Sequence, residues 1–203
     1  MKKSLKMIAV ALVLVVCTYM VSLASDKKQL SNDILRLHVV GASNSLEDQE
    51  MKLQVRDAVL AAVQDVTAGV TDKQGMDQCL RENLQNLEDA ANNALRELGS
   101  SHQATVTLGQ EEFPLREYDT FTLPAGVYDS LRVTIGEGQG RNWWCVVFPS
   151  LCIPAATEKT KDVAVGAGFS DSLTGAITGD ERYEVRFFLL DVWGRLEKFF
   201  HKG

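Results

Sequence analysis

The hydrophobic periodicity of the chain changes once, and this change predicts the fold class. Between residues 46 and 98 apolar residues recur every three or four positions, whereas between residues 104 and 148 they alternate with polar residues. A period near 3.6 is typical of helices that bury one face, and a period of two is typical of strands. The sequence therefore predicts an α+β protein in which helices precede a mainly antiparallel sheet of about four to five strands.

Capping signals locate two helices in the first part of this pattern. Ser45 and Asp48 have capping-box spacing before an apolar stripe, which predicts a helix over about 46–66. Thr71 and Gln74 repeat this spacing before a longer stripe, which predicts a second helix over 76–98. Gly99 is the natural end of that helix.

The predicted strands differ in how much of each face is apolar. In an N-terminal strand, ILRLHVV, apolar residues alternate with Arg36 and His38, which is typical of a half-buried strand. ATVTL, FPLREYDTFTL and VYDSLRVTI are also predicted as strands, and WWCVVF is apolar on both sides and is expected to be central or covered. The glycines in 136–140 predict a mobile hairpin loop and not a phosphate-binding loop, because a strand follows them where a helix would be needed.

The first 24 residues have the composition of a membrane-targeting segment. A basic start, MKKSLK, precedes an uncharged run of 17 residues from Met7 to Leu23. Ser22 and Ala24 offer small residues for cleavage, which favours a signal peptide, while about 17 apolar residues also allow an uncleaved membrane anchor. In either case we expect residues 25–154 to form an exported domain, entered through a polar linker over 25–33.

The end of the chain changes character. Residues 155–180 are small, polar and rich in glycine without a period, which predicts a flexible linker or loop. Residues 181–203 place apolar residues on one stripe, which predicts a C-terminal amphipathic helix. Such a helix suits core packing, a membrane surface or a partner contact equally well.

Charge and motif content exclude several functions. The formal net charge is −6, which argues against binding a nucleic-acid backbone. No set of His, Cys, Asp and Glu has metal-ligand spacing, and no motif indicates a cofactor. Trp143 and Trp144 are expected to point to opposite faces of a strand, so that one packs into the core and the other is exposed to a partner or a sugar.

Two cysteines near the end of the sheet admit three interpretations. Cys145 and Cys152 form either a disulfide, which export would preserve, or two inert buried thiols. Catalysis by Cys145 would need a base such as His38, and burial within WWCVVF would raise the pKa of its thiol. A structural role is therefore favoured, and an interaction module is favoured over an enzyme.

Two stretches strongly resemble the stage II sporulation protein R family of endospore-forming bacteria. They are LRLHVVGASNSLEDQEMKLQVRDAVL (35–60) and FPLREYDTFTLPAGVYDSLRVTIGEGQGRNWWCVVFPSLC (113–152). The resemblance implies a signalling protein that is made in the forespore and exported into the space between the forespore and mother-cell membranes. It also implies activation of a mother-cell membrane aspartic protease, stage II sporulation protein GA, which processes the precursor of sigma factor E. The catalytic residues would then belong to the partner, and none to this chain.

Under that interpretation the loops at 44–48 and 136–142 and the exposed tryptophan are the expected partner contacts. The candidate contact residues are His38, Asn44, Asp48, Arg56, Arg132, Asn142, Trp143 and Trp144. Two alternatives remain open from the sequence. One is a cell-envelope cysteine hydrolase that uses Cys145 with His38, and the other is a wall-glycan binding module that uses the tryptophans.

Overall fold

The structure is a computed structural model that describes residues 2–118 and 122–149. Helix α1 (Lys2–Asp33) and strand β1 (Leu35–Val40) precede helices α2 (Leu46–Val66), α3 (Lys73–Glu82) and α4 (Leu84–Glu97). Strands β2 (Ala104–Phe113), β3 (Arg116–Glu117), β4 (Thr122–Leu123), β5 (Gly126–Ile135) and β6 (Asn142–Phe148) follow. The α+β class is thus confirmed. The linker predicted over 155–180 and the helix predicted over 181–203 lie outside the described residues.

Four of the strands form one sheet with the order β2-β5-β1-β6. β1 is parallel to β5 and antiparallel to β6, and β2 is antiparallel to β5. β3 and β4 pair with each other in a separate two-stranded ribbon. Because β1 lies between β5 and β6, the segment 136–141 connects two strands that are not neighbours. The prediction of a hairpin there was wrong, since a hairpin joins adjacent strands.

The position of each strand in the sheet also changes two predictions about burial. All six residues of β1 are buried, including Arg36 and His38, so the prediction of a half-buried strand was wrong. In the described sheet β6 lies at an edge, although its apolar sequence predicted a central or covered strand. A single strand cannot show which neighbours it will pair with, because strand pairing depends on distant segments.

Helix α2 begins and ends where its capping signals predict. Ser45 is its N-cap, and the Ser45 hydroxyl accepts a hydrogen bond from the backbone N–H of Asp48 at 3.1 Å. The predicted second helix is broken into α3 and α4 at Asn83, whose backbone leaves the helical region and whose side chain donates to the carbonyl of Cys79 at 2.9 Å. Gly99 follows α4 with φ of +71°, a conformation that favours glycine.

The hydrophobic core lies between one face of the sheet and the helices α2, α3 and α4. Strand alternation turns one set of apolar side chains toward these helices. The fully buried residues of this core, from strands and helices together, are Leu35, Leu37, Val39, Val55, Val59, Leu80, Leu87, Ala91, Leu95, Leu131 and Val133. The opposite face of the sheet therefore carries the alternate residues of each strand, and most of its members are polar or aromatic.

Helix α1 continues through the segment that was predicted to be a polar linker. Residues 25–33 are helical, and Leu30 near the end of α1 is fully buried. The linker prediction was wrong because a buried apolar contact ties the end of this helix to the domain, and α1 packs against β5. Over the described part of the chain, no helix combines the length and the apolar character needed to cross a membrane.

Candidate functional site

Four residues from four neighbouring strands form a row across the sheet face that lies opposite the helices. The strand register places Thr107 opposite Arg132, Arg132 beside His38, and His38 opposite Trp144. We call these four residues the cross-strand row. The fold thus brings three of the predicted contact residues, His38, Arg132 and Trp144, into one place.

Glu111 of β2 connects the two basic members of the row. Its Oε1 accepts a hydrogen bond from Nη1 of Arg132 at 2.6 Å, and its Oε2 lies 3.2 Å from Nδ1 of His38. Burial raises the pKa of Glu111, but hydrogen bonds, including those with Arg132 and His38, outweigh it and hold this pKa below its ordinary value of 4.5. The side chain therefore remains a carboxylate near neutral pH and ties β2, β5 and β1 together.

The imidazole of His38 is held between two aromatic rings. Its centroid lies 5.7 Å from the Trp144 ring in a stacked arrangement and 5.9 Å from the Phe113 ring in an edge-on arrangement. Within the described part of the chain, the buried Nε2 of His38 has no hydrogen-bond partner. Buried ring nitrogens are usually paired, so this atom is an exception within the described structure.

Arg36 lies two residues before His38 on the same face and is fully buried. Its guanidinium is 4.0 Å from the Phe113 centroid and 5.0 Å from the Tyr128 centroid, and Nη2 donates to the Tyr118 hydroxyl at 2.9 Å. Burial lowers the pKa of Arg36. Nε and Nη1 have no hydrogen-bond partner among residues 2–118 and 122–149, and no carboxylate in those ranges pairs with the side chain. Among the described residues, aromatic rings therefore stabilise this cation where a carboxylate would usually do so.

The short strand β3 places another arginine, Arg116, over the row. The guanidinium of Arg116 lies 3.7 Å from the centroid of the Trp144 ring. The Tyr118 hydroxyl, which accepts from Arg36, is 3.5 Å from the carbonyl oxygen of Trp144. Nε of Arg116 is buried and has no partner in the described ranges. Trp144 is therefore half-buried and lies against two basic side chains, those of His38 and Arg116.

The two loops predicted to contact a partner pack against each other at one end of the sheet. The backbone N–H groups of Gln139 and Gly140 donate to the carbonyls of Ala42 and Gly41 at 3.3 and 2.8 Å. A Cβ at Gly140 would lie 2.7 Å from the Gly41 oxygen, closer than real Cβ contacts allow. Close packing of two backbones therefore accounts for this glycine. The segment predicted as a mobile hairpin loop is a packed connection.

Side chains of α2 hold this pair of loops in place. Asp48 accepts a hydrogen bond from the Ser43 hydroxyl, which lowers the pKa of Asp48, and its Oδ1 lies 3.5 Å from Nε2 of His102. The buried Lys52 donates to the carbonyl of Arg141 at 3.0 Å, and burial lowers the pKa of Lys52. Asn44 lies exposed beside these bonds. A contact between a partner and Asn44 or Asp48 stays a prediction.

Trp143 and Arg56 form a separate cluster on the helical side of β6. As alternation predicts, Trp143 points away from the face that carries Trp144, but the expectation that one of them packs into the core was wrong, since Trp143 is 37% exposed and Trp144 is half-buried. The guanidinium of Arg56 lies 4.5 Å from the Trp143 centroid and bonds Asp57 at 2.7 Å. Asn142 is exposed at the start of β6, on the same face as Trp144. The eight predicted contact residues therefore fall into three groups. They are His38, Arg132, Trp144 and Asn142 on the polar face of the sheet, Asn44 and Asp48 at the packed loops, and Arg56 and Trp143 in this cluster.

Cys145 lies on the sheet face opposite His38. It pairs in register with Leu37 and packs against the helical core, whereas His38 points to the other side of β1. The described free cysteines are Cys17 and Cys79, and Cys145 is not free. Its predicted partner, Cys152, lies outside the described residues, so their pairing stays a prediction.

Sequence reasoning missed several residues of this site. Arg36, Glu111, Phe113, Arg116 and Tyr118 all contact the row or its neighbours, yet none belongs to a motif with a known spacing. One signal was present, since the alternation in ILRLHVV puts Arg36 on the same face as His38. In the described part of the chain, no group of three or more His, Cys, Asp and Glu residues is suited to a metal ion.

Comparisons with known proteins identify the family. A family model described as stage II sporulation protein R (spore_II_R) matches residues 31–158, which include every strand of the described sheet. Stage II sporulation protein R of Bacillus subtilis (strain 168) is 30% identical over 123 residues, and the match covers 61% of this chain. That match spans about half of the relative, 55% of its length. No solved structure matches. Because the family model matches more than half of the residues of this chain, the chain belongs to the stage II sporulation protein R family.

Proposed function

We propose that this chain is an exported sporulation signalling protein that activates a membrane-bound aspartic protease of the mother cell, stage II sporulation protein GA. The protease then processes the precursor of sigma factor E. Membership of the family supports a role in sporulation. The basic start and the apolar run of residues 7–23 support export from the forespore, after which the chain acts in the space between the two membranes.

The cross-strand row carries the proposal because it has the composition of an interaction surface. Tryptophan, tyrosine and arginine are enriched among residues that dominate binding energy. Here Trp144 is half-buried, and the Arg132 side chain is 41% exposed but oriented by its bond to Glu111. Side chains that are already ordered lose less conformational entropy on binding. The row is therefore a preorganised contact surface on the exported domain.

Activation by such a surface requires that it prefer the active state of the protease. A ligand shifts a conformational equilibrium only through its differential affinity for the two states. Moving an equilibrium from 1:99 to 99:1 takes about 10⁴-fold preference, or about 5.5 kcal/mol. Truncation of a strong interface residue costs about 2 kcal/mol or more. Two or three residues of the row can therefore account for the whole shift, and losing one should reduce activation measurably.

A disulfide between Cys145 and Cys152 is part of this proposal. Export places both cysteines in an oxidising space, and Cys145 is not free in the structure. The bond would tie the edge strand β6, which carries Trp144, to the segment that follows it. Its contribution would be to hold the contact surface in place.

The geometry argues against both alternative functions. A cysteine hydrolase would need the thiol of Cys145 and the imidazole of His38 within hydrogen-bond reach, and they lie on opposite faces of the sheet. A glycan-binding tryptophan needs a free ring face, whereas both the His38 imidazole and the Arg116 guanidinium lie against the ring of Trp144. The observations therefore favour a protein-binding function.

The test measures conversion of the sigma factor E precursor in sporulating cells in which this chain replaces the cells' own stage II sporulation protein R. We expect Arg132→Ala and Trp144→Ala to slow conversion, while Arg96→Ala, on the exposed side of α4, leaves it unchanged. Each variant is first checked for normal secretion and thermal unfolding. Normal conversion by folded Arg132→Ala and Trp144→Ala chains would show that the row is not the activating surface.

A further inference from the structure

The polar face of the sheet is locally basic, although the chain as a whole is acidic. Arg36, Arg132 and Arg116 lie on or over this face, and Glu111 is the carboxylate paired there. The formal net charge of the chain is −6. A basic patch attracts an acidic partner, and the acidic remainder of the protein surface repels the same partner.

The basic groups of this face also have unused hydrogen-bonding capacity. Among the described residues no partner is found for Nε and Nη1 of Arg36, Nε of Arg116, or Nε2 of His38, and all four atoms are buried. Natural structures pair nearly all such groups, because each unpaired buried donor costs about 1–3 kcal/mol. Arg36 and His38 are each more than nine-tenths buried. An anion bound at the surface nearby would offset the positive charge of the two arginines, although it would not pair with their buried nitrogens.

Glu111 shows which anion the face accommodates. Its carboxylate is held at once by Arg132 on one oxygen and by His38 on the other. The guanidinium of Arg116 lies over the Trp144 ring, and no carboxylate pairs with it in the described part of the chain. Three arginines therefore lie on or over this face with one described carboxylate between them, which leaves positive charge for a second carboxylate.

We propose that the cross-strand row and Arg116 bind a carboxylate side chain from an acidic segment of the protein partner. Arg116 and the exposed part of Arg132 make the direct contacts, and Trp144 packs against the stem of the bound side chain. Arg36 is fully buried, so it acts through its charge beneath the surface and not by contact. This inference rests on the proposed function, since it names the chemistry that the protease must present where the two proteins meet.

The test uses the purified full chain and a hexaglutamate peptide with blocked ends at an ionic strength of about 0.1 M, where exposed charges more than about 10 Å apart are largely screened. Binding is measured by titration calorimetry and by the change in tryptophan fluorescence. Arg116→Gln and Arg132→Gln remove one positive charge each from the site. Arg96→Gln removes the same charge from the exposed side of α4 and is the matched control. Hexalysine and inorganic phosphate are tested at equal concentrations of charge.

We expect hexaglutamate to bind and each site variant to weaken it about tenfold, as for the loss of one charge-assisted hydrogen bond. Arg96→Gln should change the dissociation constant less than about twofold, because exposed charges far from the site are screened. Absence of hexaglutamate binding, equal weakening by Arg96→Gln, or equally tight binding of phosphate or hexalysine would each overturn the carboxylate site.

These measurements distinguish failure of the activating surface from failure of the carboxylate site. Loss of hexaglutamate binding in Arg116→Gln together with normal conversion of the sigma factor E precursor would support the carboxylate site and refute the row as the activating surface. Lost conversion in Arg132→Ala without any hexaglutamate binding by the wild-type chain would support the activating surface and refute the carboxylate chemistry.

Discussion

Replacing Glu111 by glutamine removes the charge that holds the cross-strand row while it preserves the size of the side chain. In the native protein the carboxylate accepts from Arg132 at 2.6 Å and lies 3.2 Å from Nδ1 of His38. Both contacts are made by a side chain that is only 20% exposed. Glutamine keeps an oxygen for one of these groups and presents an uncharged amide to the other.

The expected loss of stability follows from these contacts. A hydrogen bond to a charged group contributes about 1.5–3 kcal/mol, and the share of Arg132 is discounted because its side chain is 41% exposed. We therefore expect Glu111→Gln to lower the free energy of unfolding by about 2 kcal/mol at neutral pH. For a chain of this size that corresponds to a decrease of about 4–8 °C in Tm.

The effect should depend on pH with a definite sign. Hydrogen bonds hold the pKa of folded Glu111 below its ordinary value of 4.5 despite burial. A carboxyl whose pKa is depressed by folding contributes stability that is fully present above its unfolded-state pKa and is lost as pH falls through the folded-state pKa. The difference between wild type and Glu111→Gln should therefore be fully present at about pH 5.5 and shrink below about pH 4.5.

Urea unfolding followed by tryptophan fluorescence at pH 7, 5.5 and 4 measures this difference directly. Glu97→Gln, at the exposed end of α4, is the matched control and should change the free energy of unfolding by less than about 0.5 kcal/mol. A Glu111→Gln effect as small as that of the control, or one that grows between pH 5.5 and pH 4, would refute the role assigned to this carboxylate.

Three further predictions concern the frame around the site. Gly140→Ala should lower the free energy of unfolding by about 2 kcal/mol or more in thermal melts, because the added Cβ would meet backbone oxygen atoms. Gly109→Ala adds a Cβ in open space and should leave the free energy of unfolding unchanged. Equal melting temperatures for the two variants would contradict this prediction. Ser45→Ala removes the N-cap of α2 and should cost about 1 kcal/mol in urea unfolding, and an unchanged midpoint would show that the cap contributes nothing. Alkylation followed by intact mass should detect two additional thiols after reduction if Cys145 and Cys152 are linked, and the same count before and after would exclude the bond.

The local features of this fold were predictable from sequence because their causes are local. Helix α2 has a capping residue, an acidic first turn and an apolar stripe, and all three lie within its own residues. The opposite orientation of Trp143 and Trp144 follows from alternation alone. The break between α3 and α4 was missed, because Asn83 interrupts a stripe whose apolar spacing continues on both sides.

Strand pairing and the site itself were not predictable in the same way. The insertion of β1 between β5 and β6 depends on segments about 100 residues apart, and the alternation of ILRLHVV gives no sign that its polar face is covered. Burial of Arg36 follows from that insertion and from the aromatic residues of other strands. His38 and Arg132 were identified through a resemblance, but Glu111, which joins them, has no signal in its own neighbourhood.

The central claim is that the cross-strand row activates the protease by contact. The most direct measurement is the rate of sigma factor E precursor cleavage by stage II sporulation protein GA reconstituted in lipid vesicles, with and without the purified chain on the extracytoplasmic side. We expect the wild-type chain and Arg96→Ala to raise this rate equally, and folded Arg132→Ala and Trp144→Ala to raise it far less. An unchanged rate with the wild-type chain, or full activation by the two row variants, would contradict the account.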